Sequence, residues 1–155
     1  MGEYVDLLRS LPRVERDVGA RAAAKDLDII DIAKRFGAEY FDGARRFGYG
    51  GYLYDGRWRT VALDAMYKYS LHSGARVLDV GCAKGFLVYD MLRMGSDAYG
   101  LDISKYAVTE CPHPEAVGRL HLGSADDLPF PDKSFDLVLS INTLHNLGRP
   151  RLIAA

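Results

Sequence analysis

The chain has 155 residues, 48% of them hydrophobic, with 20 Lys and Arg against 21 Asp and Glu and a formal net charge of −1. That size suits one domain with its own core and is too small for two large ones, and the balanced charge offers no global field for a nucleic-acid backbone or an anionic membrane. Cys82 and Cys111 match no metal-ligand spacing, no secretory leader opens the chain, and apolar runs are broken within about ten residues, so the expectation is a cytoplasmic protein with no metal and no membrane span.

In chain order, residues 3–11 suit a short helix ended by Pro12, and a charged stretch over 13–21 lacks an apolar face. A better-marked helix is predicted over 22–36, where Ala23, Leu27, Ile30, Ala33 and Phe36 recur three or four apart and Gly37 supplies a left-handed stop. Residues 40–58 are dense in glycine and aromatics. They read either as a structural loop whose rings cover the core edge or as a lid, since glycines permit unusual backbone angles and aromatics supply rigid contact area. Asp55 can cap a helix over 57–69, with Trp58, Ala62, Ala65 and Tyr69 on one face.

Then comes a strand at 76–80, a glycine-bounded turn, and a helix from Phe86. A second strand over 97–102 precedes a helix capped by Ser104 and ended near Pro112 and Pro114. Residues 119–122 make a short third strand, and the run 134–142 carries the strongest strand signal of all. Strands alternating with helices predict an α/β fold, a Rossmann-like doubly wound parallel sheet with amino-terminal helices. Residues 1–70 are expected to pack as a helical and aromatic segment on a domain formed by 71–155.

In such sheets ligands bind beyond the carboxyl ends of the strands. Here those ends carry the 81–85 loop, Asp102, the turn at 123–127 and Asn142. Asp102 follows Gly81 by 21 residues, a spacing at which an acid can accept from two ribose hydroxyls. The loop departs from the dinucleotide fingerprint G-x-G-x-x-G, because Ala83 takes the middle glycine's place and Phe86 the last. A nicotinamide or flavin enzyme, whose pyrophosphate needs close backbone approach, is therefore the less favoured reading.

The runs VLDVGCAKG (77–85), GLDIS (100–104) and GSADDLPF (123–130), continuing to FDLV (135–138), resemble successive motifs of class I S-adenosylmethionine-dependent methyltransferases over about residues 74–150. The resemblance implies that Asp79 with Gly81, Cys82, Ala83 and Gly85 holds the amino-acid part of S-adenosylmethionine. Asp102, with Ile103 beside it, takes the ribose, Ser124 and Ala125 line the adenine, and the segment from Asn142 faces the methyl group. S-adenosylhomocysteine would be the product. Many relatives carry an acid where Ser124 stands, which leaves Asp126 or a backbone group to meet the adenine amino group. Ala83 replaces a glycine, a change tolerable at negative φ.

Methyl transfer needs an in-line nucleophile and, for a hydroxyl or protonated amine, a base. His145 is the histidine placed at the active face, with a helix-start structural role as its plainer alternative; His72, His113 and His121 read as structural. Tyr49, Tyr52, Tyr54 and Arg57 are candidates to close over a small-molecule acceptor. A non-catalytic S-adenosylmethionine-binding module and an NAD(P)-dependent oxidoreductase stand as alternatives. The family resembled uses seven strands, of which four are visible here in the implied order 3-2-1-4. The expectation is thus a domain lacking its carboxyl-terminal part, with residues 137–141 as an open edge that a missing segment, a second copy or the amino-terminal helices would cover.

Overall fold

Four short parallel strands form the frame: β1 (Arg76–Val80), β2 (Asp97–Asp102), β3 (Leu120–Leu122) and β4 (Leu137–Leu139), in the order β3-β2-β1-β4. The computed structural model describes residues 5–12 and 26–148. Val77, Leu78 and Val80 are all buried, as in a parallel strand covered on both faces. Register alternation sorts the faces. Val77 pairs with Ala98 and Leu137, and Asp79 with Gly100 and Leu139, so these residues share one face, while Leu78 pairs with Tyr99 and Val138 on the other.

The first face is covered by α3 (Trp58–Lys68) and α4 (Phe86–Arg93). Val61, Ala62 and Ala65 are fully buried on α3, and these small side chains let it lie close against Leu87, Val88 and Met91 of α4. The second face carries Leu78, Val80 and Leu101, capped by Tyr99, Ala125, Phe130 and Phe135 from β2 and the loop after β3. Ahead of these lie α1 (Leu27–Lys34) and α2 (Ala38–Phe41), while α5 (Lys105–Thr109) and α6 (Pro114–Val117) connect β2 to β3. No helix among the described residues is long and apolar enough to cross a membrane.

Local details depart from the sequence expectations for identifiable reasons. Within 5–12 there is a turn over 7–10 rather than a helix, held by Leu7, Leu8 and Leu11 packing on the core; Glu3 and Tyr4 lie outside the described residues, as do Ala22 to Lys25. The left-handed residue after α1 is Phe36 (φ 48°), whose ring packs edge-on against Tyr40, and Gly37 instead opens α2 at φ −90°. Asp55 accepts from the Arg57 N–H at 3.1 Å, one residue ahead of the helix start, so it closes a turn and does not cap α3. Pro114 begins α6, a position where the missing N–H costs nothing.

The strongest strand signal yields only three paired residues in β4. Past Leu139 the chain turns, Asn142 adopts φ 56°, and Thr143 is brought back against the turn after β1. Val138 is 52% exposed on this edge strand, and Val5, Leu7 and Leu8 lie along it across a groove of about 340 Å³.

Candidate functional site

The loop after β1 is shaped by three left-handed residues, Gly81 (φ 86°), Ala83 (φ 50°) and Gly85 (φ 75°). Ala83 therefore does not meet the condition of negative φ under which replacing the glycine is tolerable: it occupies a conformation that costs a non-glycine residue about 1–2 kcal/mol. The surroundings impose it. The N–H groups of Gly81 and Cys82 both donate to the Leu101 carbonyl, at 2.7 and 3.1 Å, and Gly85 N–H donates to the Cys82 carbonyl at 2.9 Å. Ala83 N–H donates to Asp102 Oδ2 at 2.8 Å. Gly100 makes room for this crossing, since a Cβ there would stand 2.6 Å from Cys82 Sγ.

Asp102 is oriented by backbone on both sides, because its Oδ1 accepts from Ser104 N–H at 2.8 Å. Burial pushes its carboxyl upward, and the Ser104, Ala83 and Ile103 N–H groups oppose the shift. Ile103 itself is 56% exposed. Asp79 lies on the same face of the neighbouring strand and is buried; burial, then the charge of Asp102, pushes its carboxyl up to about 7. Among the described residues neither carboxylate forms an ion pair.

The nearest cation in sequence is Lys84, buried in the loop itself, and it is taken elsewhere. Its Nζ lies 2.9 and 2.7 Å from the two oxygens of Asp42, which also accept from Tyr106 Oη at 2.6 Å and Tyr52 N–H at 3.2 Å. Burial raises the Asp42 carboxyl, but the bonds from Lys84 and Tyr106 outweigh it and hold the group below its ordinary value.

Aromatic rings from the amino-terminal segment form a wall over this loop. Tyr52 stacks on Phe86 at 4.7 Å and sits 4.3 Å from Tyr49. The Tyr52 phenol is raised by burial, then by Tyr49 and Asp79; the Tyr40 phenol is raised by burial, then by Asp102. Tyr52 thus stands near Asp79, and Tyr49 packs against Tyr40, Phe41 and Tyr52. Tyr54 and Arg57 are engaged elsewhere: Tyr54 Oη donates to the buried Asp90 at 2.6 Å, and Arg57 pairs with Asp55 at 2.8 Å.

Beyond β3, Gly123 N–H donates to the Asp102 carbonyl at 2.9 Å, which ties the 123–127 turn to the same corner. Ser124 Oγ bonds the Asp126 carboxylate, and Ala125 packs on the second face of the sheet. The post-β4 segment closes the other side: a Cβ on Gly81 would stand 1.8 Å from Thr143 Oγ1. Asn142 and His145 are exposed there, His145 within a 3-10 turn over Leu144–Asn146. A cavity of about 490 Å³ lies under residues 125–135 against Leu78 and Val138, and it includes Ala125 and Asp126 but not Asp79, Asp102 or the glycine loop.

Sequence reasoning missed Asp42, Lys84 and Tyr40 as parts of this corner. Lys84 lay in the quoted motif without a role, and no local spacing connects it to an acid 42 positions earlier.

A parallel 3-2-1-4 sheet with a glycine turn and an acid at adjacent strand ends defines a Rossmann-like domain. Residues 78–155 match the family described as Methyltransferase domain, and the chain belongs to that family. A demethylmenaquinone methyltransferase of Tropheryma whipplei is 36% identical over 102 residues, covering 63% of this chain and 40% of the relative. A fatty-acid O-methyltransferase of Mycolicibacterium smegmatis is 38% identical over 76 residues, covering 46% and 28%. A ubiquinone biosynthesis O-methyltransferase of Cereibacter sphaeroides is 31% identical over 88 residues, covering 50% and 33%. The chain therefore spans 40% or less of the length of these relatives. Among solved structures, a methyltransferase assigned to an antibiotic biosynthesis pathway in Anabaena variabilis superposes with a TM-score of 0.51 at 25% identity, covering 57% of this chain and 35% of that one.

Proposed function

We propose that the chain binds S-adenosylmethionine and serves methyl transfer to a small-molecule acceptor. The observation that carries this reading is the pair Asp79 and Asp102, one buried and one partly buried carboxylate at adjacent strand ends beside the 81–85 loop, with no cation paired to them among the described residues. Acids so placed call for a ligand that brings positive charge and hydroxyl donors. S-adenosylmethionine fits that donor set, with an ammonium and a sulfonium on one end and ribose hydroxyls in the middle. A dinucleotide does not, because its pyrophosphate would bring two further negative charges to the same corner.

In this reading Asp79 and the 81–85 loop hold the amino-acid end, Asp102 accepts from the ribose, and the Ser124–Ala125 turn with Asp126 lies along the base. The bound cofactor supplies an electrophilic methyl group on sulfur. The protein's part is to fix the acceptor in line with it and to exclude water. Tyr49 and Tyr52 supply an apolar wall, and His145 is the proposed base where the acceptor is a hydroxyl. The small-molecule assignment draws support from the relatives, whose names refer to demethylmenaquinone, fatty acids and ubiquinone biosynthesis.

A second reading, a cofactor-binding module whose acceptor-selecting parts are supplied elsewhere, is favoured by the limited share of those relatives that the chain spans. Titration calorimetry with S-adenosylhomocysteine tests cofactor binding, and product detection with methyl-labelled cofactor separates enzyme from module. Asp102→Ala is expected to abolish measurable binding; unchanged affinity would remove the ribose assignment.

A further inference from the structure

Lys84 is 6% exposed, an unusual burial for a lysine, and it sits between two left-handed residues in a loop whose other members are small or apolar. A buried ammonium needs a partner fixed in place. Asp42 meets that requirement from its own side. It ends α2, its N–H donates to the Ala38 carbonyl at 2.8 Å, and the next residue must be glycine, since a Cβ on Gly43 would stand 2.4 Å from the Glu39 carbonyl oxygen. Tyr52 N–H and Tyr106 Oη then hold the carboxylate from two further elements.

A second link joins the same segment to the other side of the corner: Ser104 Oγ donates to the Phe36 carbonyl at 2.5 Å while accepting from Ala107 N–H at 3.0 Å. Ala83 is therefore held from both directions, by Asp102 on its own N–H and by Asp42 through the side chain that follows it. Strained backbone persists where its neighbours over-determine it.

We infer that the Asp42–Lys84 ion pair is a positioning clamp which sets the shape of the 81–85 loop, so that the segment from Asp42 to Tyr52 is a working part of the cofactor site. The inference rests on the cofactor reading above for its effect on affinity, and on the loop geometry alone for its effect on the backbone. Neither residue need touch the ligand.

The test uses Lys84→Met, which keeps the buried stem and removes the charge, together with Asp42→Asn, the double variant, and Asp64→Asn as a control that breaks the exposed Arg9–Asp64 pair on α3. The affinity for S-adenosylhomocysteine is expected to fall about tenfold in each clamp variant, with the double no worse than the singles, and to stay unchanged in the control. Amide exchange at Gly81, Ala83 and Gly85 is expected to quicken about tenfold in Lys84→Met relative to α3 amides. Should the parent protein bind no S-adenosylhomocysteine, the cofactor reading fails and the exchange measurement alone decides the clamp. A melting temperature that drops while loop exchange stays at the parent rate would overturn the clamp, as would unchanged affinity in a cofactor-binding parent.

Discussion

At Asp79 the fold works against ionisation. The carboxyl is pushed to about 7 from an ordinary 3.8, so across that window the folded chain holds a proton that the unfolded chain has released. This contribution to stability is present at low pH and is lost as pH rises toward 7. Asp79→Asn removes the dependence. In the ligand-free protein its stability relative to the parent is expected to be higher at pH 8 than at pH 5 by on the order of 2 kcal/mol. Urea unfolding of both proteins at the two pH values checks this, and a difference independent of pH would refute it. The same substitution is expected to weaken cofactor binding, a case of a site held at the expense of stability.

At Ala83 strain relief competes with two losses. Relief of its left-handed strain, about 1–2 kcal/mol, is opposed by the added unfolded-state entropy of glycine, about 0.4–1 kcal/mol, and by loss of a buried methyl packed with Phe41 and Ala107, about 0.8 kcal/mol, so Ala83→Gly is expected to leave stability within about 1 kcal/mol of the parent. Thermal or urea unfolding measures it. Tyr54→Phe carries a loss with no such offset. The Asp90 Oδ2 atom already lacks a partner among the described residues, and removing the phenol leaves Oδ1 unpaired as well, for an expected loss of about 1–3 kcal/mol.

Among the elements, the unit from β1 through α4 to β2 was legible because two local rules agree there: buried apolar runs of strand length, and glycines where the chain must turn. Asp97–Asp102 and the Ser104 cap were read residue for residue, the latter because a serine accepting from the N–H three residues on is a purely local bond. What local rules could not supply were contacts across the chain. Residues 134–142 look like a long strand, yet only three residues pair, because Thr143 must fold back to Gly81. That return contact gives the element-scale prediction. Gly81→Ala forces a Cβ into Thr143 at positive φ, and it is expected to cost about 1–3 kcal/mol and to disorder the loop, read as lost amide protection at Ala83. The aromatic segment had two readings. Its rings pack as a structural loop does, and Tyr40 and Tyr52 reach the field of the two carboxylates; the lid reading stays a proposal.

For the whole molecule, the sheet order, the loop and the acids at the strand ends agree with membership of the methyltransferase domain family. Beyond family membership, the proposal is that the corner at Asp79 and Asp102 takes a cationic nucleoside. Binding such a ligand favours the charged form of Asp79, so association near neutral pH should release a proton and strengthen as pH rises from 6 to 8. Titration calorimetry of S-adenosylmethionine in two buffers of different ionisation enthalpy measures affinity and proton release together. Saturable binding with proton release is expected, and both should vanish in an Asp79→Asn, Asp102→Asn variant that remains folded. Absence of binding, or NAD(H) binding in its place, would contradict it.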